Sequence, residues 1–433
     1  MKIAYLAHRF YPEYHPEYDE GGAGKFVYNM ARMMQMLGHK TKVITYSFYE
    51  NPSYDKKRGE IFVKEFSFKG VPVLAFKYKK LVPDLHSGLG NEQLARISKK
   101  ILEDEEPEVV HVGHPMTVGE FIKSARSFGI PYIITLTDFW LLCPKGILFA
   151  SDNSLCLGPE GGRSCLKHCP EFTGNMISSR LRLAKEMLSG AKMVTSPSRF
   201  VAGIFSREWS DLKIGVINHG LNYGALKKNA RIYRKGDKLT FFYGGSLDPH
   251  KGVHVLLNAF LRIRSDNAAL KIYGTGDEQY TRALKKMASG DGRIEFCGVY
   301  SEDRTGDILG GVDAAVVPSL WFENYPLVLH EALACNVPVI ASNAGGMAEK
   351  IKNGATGFTF RIGDPESLKE VLEMLIDQPE KLNAVKDNLK SLMIPTVEQE
   401  ALAYERELRR IRNAAHFLEK NKPTHYDSKT TWT

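Results

Sequence analysis

The stretch LTFFYGGSLDPHKG, residues 239–252, joins an apolar run to a glycine-rich loop. LTFFY is rich in aromatic residues, as buried strands are, and the loop after it carries adjacent glycines and Lys251. Glycines let backbone N–H groups come close to an anion, and a lysine supplies a point charge for a phosphate. The stretch therefore predicts a strand that ends in a phosphate-binding loop.

Runs of the same kind recur on both sides of this stretch. Short apolar runs alternate with longer amphipathic stretches, and a less regular stretch at 211–238 divides the chain into two halves. The strand-like runs are KIAYLAH, KVITYSF, EVVHVG, YIITL, MVTSPS and IGVIN in the first half, and LTFFYGG, LKIYG, RIEFCG, AAVVPS, PVIAS and GFTF in the second. Such alternation indicates a parallel sheet flanked by helices. The sequence therefore predicts an α/β protein with one such domain in each half.

The same patterns predict the domain boundaries. We expect a first domain over residues 1–215 and a second over residues 225–395. Residues 396–420 have apolar residues at helical spacing among many charges, so we expect a helix there that packs back on the first domain, followed by a tail at 421–433. Ligands of open α/β sheets bind at the carboxyl ends of the strands, which predicts a ligand site in the cleft between the domains.

Composition excludes several classes of protein. The chain has 433 residues, of which 43% are apolar and 25% charged, values typical of a soluble globular protein large enough for two domains. The net charge of +8 is spread along the chain, so it does not indicate nucleic acid binding but suits a phosphorylated ligand or an anionic membrane face. No signal peptide or membrane span is predicted. We expect a cytoplasmic protein, with or without peripheral contact to the inner face of the membrane.

A second stretch, WFENYPLVLHE at residues 321–331, places a glutamate on either side of an apolar run. Pro326 suits the first turn of a helix, so we expect Glu323 in the loop before that helix and Glu331 inside it. A helix N-terminus favours a diphosphate, and carboxylates accept hydrogen bonds from sugar and ribose hydroxyls. For an isolated pair, the simpler interpretation is a helix-start acid and an exposed helix acid. The glycine-rich loops that precede this segment favour a ligand site instead.

With these motifs in this order, the sequence resembles the retaining nucleotide-sugar glycosyltransferases of the GT-B fold, specifically glycosyltransferase family 4. The motifs are the GG at 21–22, the GGSLDPHKG loop, the two-glutamate segment with its EALA continuation, and NAGGMAEKI…GATGF at 343–358. The resemblance implies two Rossmann-like domains whose parallel sheets face a central cleft. It also implies retaining, metal-independent transfer of a hexose from a UDP- or GDP-sugar to a glycan or lipid-linked acceptor, in cell-surface polysaccharide or glycolipid synthesis.

The resemblance assigns roles to individual residues. It implies that Lys251 binds the donor pyrophosphate, that Glu331 binds the ribose hydroxyls and that Glu323 approaches the transferred sugar. Together with Asp138, Lys251 and Glu323 are the candidate catalytic residues. The candidate donor-binding residues are Gly22, Gly245, Ser246, Lys251, Gly274, Gly298, Val299, Glu323, Asn324, Tyr325, Pro326, Leu327 and Glu331.

Two positions depart from the family pattern. Ser246 stands where many relatives have an arginine, and Thr137 stands where the family has a histidine that reaches the sugar. Thr137 and Asp138 can still hydrogen-bond sugar hydroxyls. His111 or His114 could contribute, although a buried structural histidine is the simpler interpretation of each. The departures leave two alternatives open: a catalytically silent subunit that binds a nucleotide sugar, and a nucleotide-sugar epimerase or phosphorylase on the same architecture.

Four of the six cysteines, Cys143, Cys156, Cys165 and Cys169, fall within 27 residues of a loop-like insertion. A structural zinc ion held by four thiolates would order such a loop, with His168 as a substitute ligand. The spacing C-x12-C-x8-C-x3-C lacks the paired CxxC motifs of common zinc sites, so free or disulfide-bonded thiols are the alternative. In either case the insertion follows the predicted strand YIITL, and we expect it to cover the acceptor side of the cleft.

Two further regions have residue types that suit an acceptor. Tyr11, Tyr14 and Tyr18, in the loop before the GG motif, could stack against a sugar or a lipid-linked headgroup, or form an exposed loop without a ligand. The basic residues of SSRLRLAKEML, 178–188, and of YKK, 78–80, could contact an anionic membrane that carries a lipid-linked acceptor. A solvated helix face is the alternative.

Overall fold

The computed structural model describes residues 1–10, 21–47, 56–58, 61–78, 89 and 92–420. Within them the chain forms two α/β domains, each built on one sheet. The strands of the first domain are β1 (Lys2–Ala7), β2 (Lys40–Tyr46), β3 (Lys56–Arg58), β4 (Ile61–Phe68), β5 (Val71–Tyr78), β6 (Val109–Val112), β7 (Tyr132–Thr135), β8 (Met193–Ser196) and β9 (Ile214–Val216), in the spatial order β3-β4-β5-β2-β1-β6-β7-β8-β9. Those of the second are β10 (Leu239–Gly244), β11 (Ala268–Tyr273), β12 (Ile294–Gly298), β13 (Ala314–Val317), β14 (Val339–Ser342) and β15 (Phe358–Phe360), in the order β12-β11-β10-β13-β14-β15.

Helices cover these sheets. The first domain has α1 (Gly21–Met36), α2 (Glu92–Glu105), α3 (Gly119–Ser127), α4 (Arg163–His168), α5 (Gly174–Gly190) and α6 (Arg199–Glu208). The second has α7 (Val253–Phe260), α8 (Glu278–Ala288), α9 (Thr305–Gly310), α10 (Leu327–Ala334), α11 (Pro365–Asp377) and α12 (Lys381–Leu389), and a long helix, α13 (Val397–Lys420), follows. None of the described helices is both long enough and apolar enough to cross a bilayer.

Both faces of the first strand are buried. Ala4 and Leu6 of β1 belong to one apolar cluster, whereas Ile3, Tyr5 and Ala7 belong to another. Successive side chains of a strand point to opposite faces, so helices must cover both sides of such a sheet, and the strand reads as a continuous apolar run. Every run that predicted a strand forms one, and the predicted α/β class with one sheet in each half is confirmed.

One edge of the first sheet departs from the expected parallel order. β4 pairs antiparallel with both β3 and β5. A tight turn at Lys69 and Gly70, with φ of +46° and +85°, joins β4 to β5. Positive φ at both central residues matches the twist of hairpin strands. The expectation of a wholly parallel sheet is therefore wrong at this edge, where a short turn replaces the helix that a parallel connection needs.

The last helix lies against the first domain. Ala401, Tyr404 and Leu408 of α13 are buried in the apolar cluster that contains one face of β1. The Tyr404 hydroxyl lies 3.0 Å from the hydroxyl oxygens of both Thr135 and Thr195, which belong to β7 and β8. The chain therefore returns from the second domain to the first, and α13 connects the two by side-chain packing as well as by the backbone.

Candidate functional site

The segment 321–331 forms a loop followed by the start of α10. Pro326, at φ −66°, stands directly before the helix. Apolar side chains of α10 such as Leu329 are buried in the core of the second domain. Because these side chains anchor the helix, Glu323 lies in the loop before it and Glu331 in its second turn, on the side of the first domain.

The Glu323 carboxylate is buried, with 6% of the residue exposed, and its Oε1 accepts three hydrogen bonds. Lys251 Nζ donates over 2.8 Å, the Ser319 hydroxyl over 2.7 Å and the Trp321 indole N–H over 2.9 Å. Burial alone would raise the pKa of this carboxyl, but the charge of Lys251 and the three donors outweigh burial and hold the pKa below its ordinary value. Glu323 is therefore a fixed, ionised carboxylate at neutral pH.

Lys251 reaches Glu323 from the loop after β10. It ends a short 3-10 helix and is followed by Gly252, at φ +73°. A Cβ on Gly252 would lie 2.0 Å from the Pro318 carbonyl oxygen, so glycine is required for the loops after β10 and β13 to come this close. The ammonium group also lies 4.9 Å from the centre of the Trp321 ring. The structure thus pairs Lys251 and Glu323 directly, whereas the family resemblance assigns them to different parts of a donor.

The loops after β10, β11 and β12 meet at one edge of the second sheet. Gly274 donates its N–H to the Gly298 carbonyl oxygen over 2.8 Å. A Cβ on Gly274, where φ is +134°, would lie 1.8 Å from the carbonyl oxygen of Gly245. Gly245 and Ser246 are exposed, and Val299 is 56% exposed. The candidate donor-binding residues of these three loops therefore share one accessible rim.

The loop before α10 also reaches the first domain. Asn324 Nδ2 donates to the Thr137 carbonyl oxygen over 2.8 Å, which links this loop to the loop after β7. Within the described residues, the buried Oδ1 of Asn324 has no hydrogen-bond partner. An unpaired buried acceptor costs free energy, so Asn324 can gain from a ligand hydroxyl at this point. Tyr325 stacks on the His330 ring with 3.6 Å between ring centres, which fixes the entry to the helix.

Thr137 and Asp138 lie on the first-domain side of the cleft. The Thr137 hydroxyl donates to the Gly113 carbonyl oxygen over 2.8 Å. Asp138 Oδ1 accepts the Trp140 N–H over 2.8 Å, and its Oδ2 lies 2.6 Å from Nε2 of His114. The carboxylate of Asp138 is therefore held in place, with 28% of its side chain exposed toward solvent.

His114 is a residue whose contact with Asp138 was not predicted. The Met116 N–H donates to Nδ1 of His114, so the ring proton lies on Nε2 and is donated to Asp138. The sequence indicates this contact through position, because the two residues follow the adjacent parallel strands β6 and β7. His111 is fully buried beside Thr135, and burial lowers its pKa to about 3, so its environment is that of a neutral structural histidine.

Glu331 faces the first domain. Its Oε1 lies 3.4 Å from Nζ of Lys25, in the second turn of α1, and both residues line a cavity together with Gly22. The family motifs predicted Gly22 and Glu331 as site residues but did not predict Lys25. In the sequence, Lys25 is marked as a candidate only by its position shortly after the GG motif. Nothing in the sequence identified Ser319 or Trp321 as hydrogen-bond donors to the buried glutamate.

The four clustered cysteines line one cavity of the first domain, together with His168. All four are free thiols. Three backbone N–H groups between residues 145 and 148 hydrogen-bond the sulfur of Cys143, and Nδ1 of His168 lies 2.7 Å from the Asp152 carboxylate. Among the residues that the structure describes, no group of three or more His, Cys, Asp or Glu side chains is arranged so that it could hold a metal ion.

One basic residue of α5 is withdrawn from the surface. Arg180 is 3% exposed, its guanidinium carbon lies 4.1 Å from the centre of the Trp140 ring, and it donates to the Trp140 carbonyl oxygen. The expectation that Arg180 contacts a membrane is therefore wrong. Arg182 and Lys185 lie at the surface, each paired with an acidic residue. Tyr11, Tyr14, Tyr18, Lys79 and Lys80 lie outside the described residues.

Two family models match the chain, one in each domain. The Glycosyltransferase Family 4 model matches residues 20–223, and the Glycosyl transferases group 1 model matches residues 227–392. The chain is also 24% identical to an uncharacterized glycosyltransferase of Methanocaldococcus jannaschii, over 86% of this chain and 89% of that protein. The two matches meet in the connection between β9 and β10, where one sheet ends and the other begins.

Solved structures of the same fold cover almost the whole chain. Sucrose-phosphate synthase from Thermosynechococcus elongatus has a TM-score of 0.70 at 18% identity, over 95% of this chain and 99% of that chain. Anabaena HepE in complex with UDP-glucose has a TM-score of 0.63 at 18% identity, over 98% of this chain and 100% of that chain. The likeness shows that the two domains have the GT-B arrangement. With each domain matched by a family model and the fold shared along its length, the chain belongs to the group 1 glycosyltransferases of glycosyltransferase family 4.

Proposed function

We propose that this protein transfers a hexose from a UDP- or GDP-sugar to a hydroxyl of a glycan or lipid-linked acceptor, with retention of configuration. The observation that carries the proposal is the pair formed by Lys251 and Glu323 beside the start of α10. The pair combines a cation suited to a diphosphate with a buried carboxylate suited to sugar hydroxyls. It stands where the two domains meet, a position from which donor and acceptor can be brought together.

The donor occupies the rim of the second domain in this proposal. Lys251, whose side chain is 23% exposed, and the exposed residues Gly245 and Ser246 would face the diphosphate. The start of α10 adds the positive end of its dipole. The three donors to Glu323 all use Oε1, so we assign Oε2 to the hydroxyls of the transferred sugar. That HepE was solved with UDP-glucose on the same fold supports a nucleotide-sugar donor.

The proposed reaction needs neither a protein nucleophile nor a metal ion. The acceptor oxygen forms a bond to the anomeric carbon on the face from which the phosphate leaves, and the bond between that carbon and the phosphate oxygen breaks. The proton of the acceptor hydroxyl passes to the departing phosphate oxygen, which yields the glycoside and a nucleoside diphosphate. The protein contributes positioning and stabilises negative charge on the diphosphate through Lys251 and the helix start.

We assign Asp138 to the acceptor side of the reaction. Its carboxylate is oriented by His114 and is open to the cleft, so it can accept a hydrogen bond from an incoming hydroxyl. Asn324, whose amide bridges to the first domain, can receive a hydroxyl of the donor sugar at its unpaired Oδ1. Asp138 would thus bind the acceptor hydroxyl from one side of the cleft, and Asn324 would bind the donor sugar from the other.

The proposal is tested by incubating the purified protein with a panel of UDP-, GDP- and ADP-hexoses, with and without simple glycan acceptors. We expect one nucleotide class to release its diphosphate, and the transferred sugar to keep its anomeric configuration by proton NMR. Tight binding of a donor without turnover by any member of the panel would favour the silent subunit. Conversion of the sugar with the diphosphate still attached would favour the epimerase.

We also propose that the four clustered cysteines hold a structural zinc ion. They share one cavity, and although burial raises the pKa of the Cys143 thiol, backbone N–H groups that hydrogen-bond its sulfur partly offset this effect. Arg180 is buried close enough to Cys143 and Cys165 for electrostatic interaction, and its charge would offset part of the net negative charge of four thiolates on one ion. Because the sulfurs are not arranged as a metal site among the described residues, binding would require them to move.

Metal analysis of protein purified without chelators is expected to find about one zinc per chain. A Cys165→Ser, Cys169→Ser double variant should lose it and melt at a lower temperature. Cys335→Ser changes a buried thiol of the second domain and is the matched control, which should keep the metal. Wild-type protein that contains no zinc and takes up none from solution would contradict the proposal.

A further inference from the structure

Lys25 of the first domain bridges two acidic residues of the second. Its Nζ lies 3.4 Å from Oε1 of Glu331 and 3.6 Å from Oε2 of Glu302. The side chains of Lys25 and Glu331 are 21% and 12% exposed, whereas that of Glu302 is 45% exposed. Water and salt therefore screen the contact with Glu331 less than the contact with Glu302.

The pair lines a small crevice between the domains. Its walls include Gly22 at the start of α1, His219 in the connection between the domains, and Leu327 at the start of α10. Both helices thus begin at this crevice and direct the positive ends of their dipoles toward it.

Pairing with Lys25 does not use up the Glu331 carboxylate. A carboxylate offers about four acceptor positions, so one lysine and two ribose hydroxyls can bind it together. A glutamate side chain without such a partner samples several rotamers, and a ligand must then supply the free energy that orders it. A lysine that already orders the carboxylate lowers this cost before the ligand arrives.

We propose that Lys25 is a positioning residue of the donor site, which holds Glu331 in the orientation that accepts the two ribose hydroxyls. The inference rests on the proposed function, because it requires a nucleotide donor. It makes the affinity of the second domain for that donor depend on a side chain of the first. The two domains together, rather than the second domain alone, then form the complete nucleotide site.

The test compares a nucleoside diphosphate with its 2′,3′-dideoxy form. UDP, GDP and ADP are titrated calorimetrically into wild-type protein, and the tightest binder and its dideoxy form are then titrated into Lys25→Met. We expect Lys25→Met to weaken binding of the natural diphosphate about tenfold but of the dideoxy form less than about twofold, because the second ligand has no hydroxyls for Glu331. Lys25→Arg keeps the charge and should restore most of the affinity.

Two further variants decide between a positioning role and a general one. Glu331→Gln should likewise weaken binding of the natural diphosphate more than binding of the dideoxy form. Glu302→Gln, which removes an exposed partner of Lys25, should bind both ligands as wild type does. An equal loss for both ligands would overturn the inference, since Lys25 would then act as a charge for the diphosphate. Equal affinity of Lys25→Met and wild type would overturn it as well. Failure of the wild type to bind any of the three diphosphates would instead contradict the proposed function itself.

Discussion

Glu323→Gln is expected to lower donor turnover by about 100-fold to 1,000-fold, the usual cost of removing one preorganised electrostatic group from an active site. Glutamine keeps the size of the side chain and an oxygen that accepts from Ser319 and Trp321, so the loop should remain folded. The lost feature is the negative charge that pairs with Lys251 and that we propose to face the transferred sugar. The measurement is the initial rate of diphosphate release from the best donor, with the melting temperature recorded alongside.

The matched control is Glu373→Gln. Glu373 lies on α11, outside the candidate site, and pairs with Lys369 at 3.0 Å. Exposed pairs of this kind contribute little to stability, so this variant should turn over at the wild-type rate. A Glu323→Gln protein with wild-type turnover and an unchanged melting temperature would show that Glu323 takes no part in the reaction.

Lys251→Met should have the second large effect, a loss of about 100-fold in affinity for the nucleoside diphosphate, because a charge-assisted hydrogen bond to phosphate is among the strongest single contacts. It should also leave Glu323 buried without its cation. Burial would then dominate and raise the pKa of Glu323. Calorimetric titration of the diphosphate measures the first effect, and melting curves at several pH values measure the second.

The direction of the pH effect follows from the lowered pKa of Glu323 in the wild type. Because the pKa of Glu323 is lower in the folded state than in the unfolded state, its ionisation stabilises the folded protein. This contribution is complete at pH values above the ordinary glutamate pKa, and it is lost as pH falls through the pKa of the folded state. The difference in melting temperature between wild type and Lys251→Met should therefore be largest at neutral pH and shrink in acid. A constant difference from neutral to acidic pH would contradict the assigned role of the pair.

Lys369→Met is the control for this substitution. The Lys369 side chain is 21% exposed, close to the 23% of Lys251, and it also pairs with carboxylates, but it lies on α11. Its removal should leave the affinity for the diphosphate unchanged. If Lys251→Met bound the diphosphate as tightly as this control, the phosphate contact would have to be assigned to another residue.

Local sequence signals predicted the strands and the glycine-rich loops that follow them. Most of the apolar runs formed strands that are covered on both faces and must therefore be apolar along their length, although β9 and β12 are only partly buried. The Lys69–Gly70 hairpin was missed because β4 alternates in burial next to the edge of the sheet, which is a weaker signal than a continuous apolar run. The segment that contains the two glutamates predicted the position of α10. A proline favours the first turn of a helix, and Pro326 stands directly before α10.

The partners of the site residues could not be predicted in this way. Lys251 and Glu323 lie 72 residues apart in the chain and Lys25 and Glu331 lie 306 apart. The burial of Arg180 beneath Trp140 likewise depends on how α5 packs in the first domain. Periodicity and motifs extend over a few residues, so they carry no information about which residues pair across such distances in the chain.

By itself, the amino-acid sequence determined the two α/β domains, the glycine loops and the helix that begins between the two glutamates, because backbone propensity and apolar patterning act over a few residues. Only the tertiary structure decided that Glu323 is buried against Lys251, that His114 holds Asp138, and that Lys25 crosses to Glu331. These contacts join loops at the ends of different strands and residues of different domains. Their geometry is set by the packing of strands and helices within each domain and of the two domains against one another, which is why it emerges only in the folded chain.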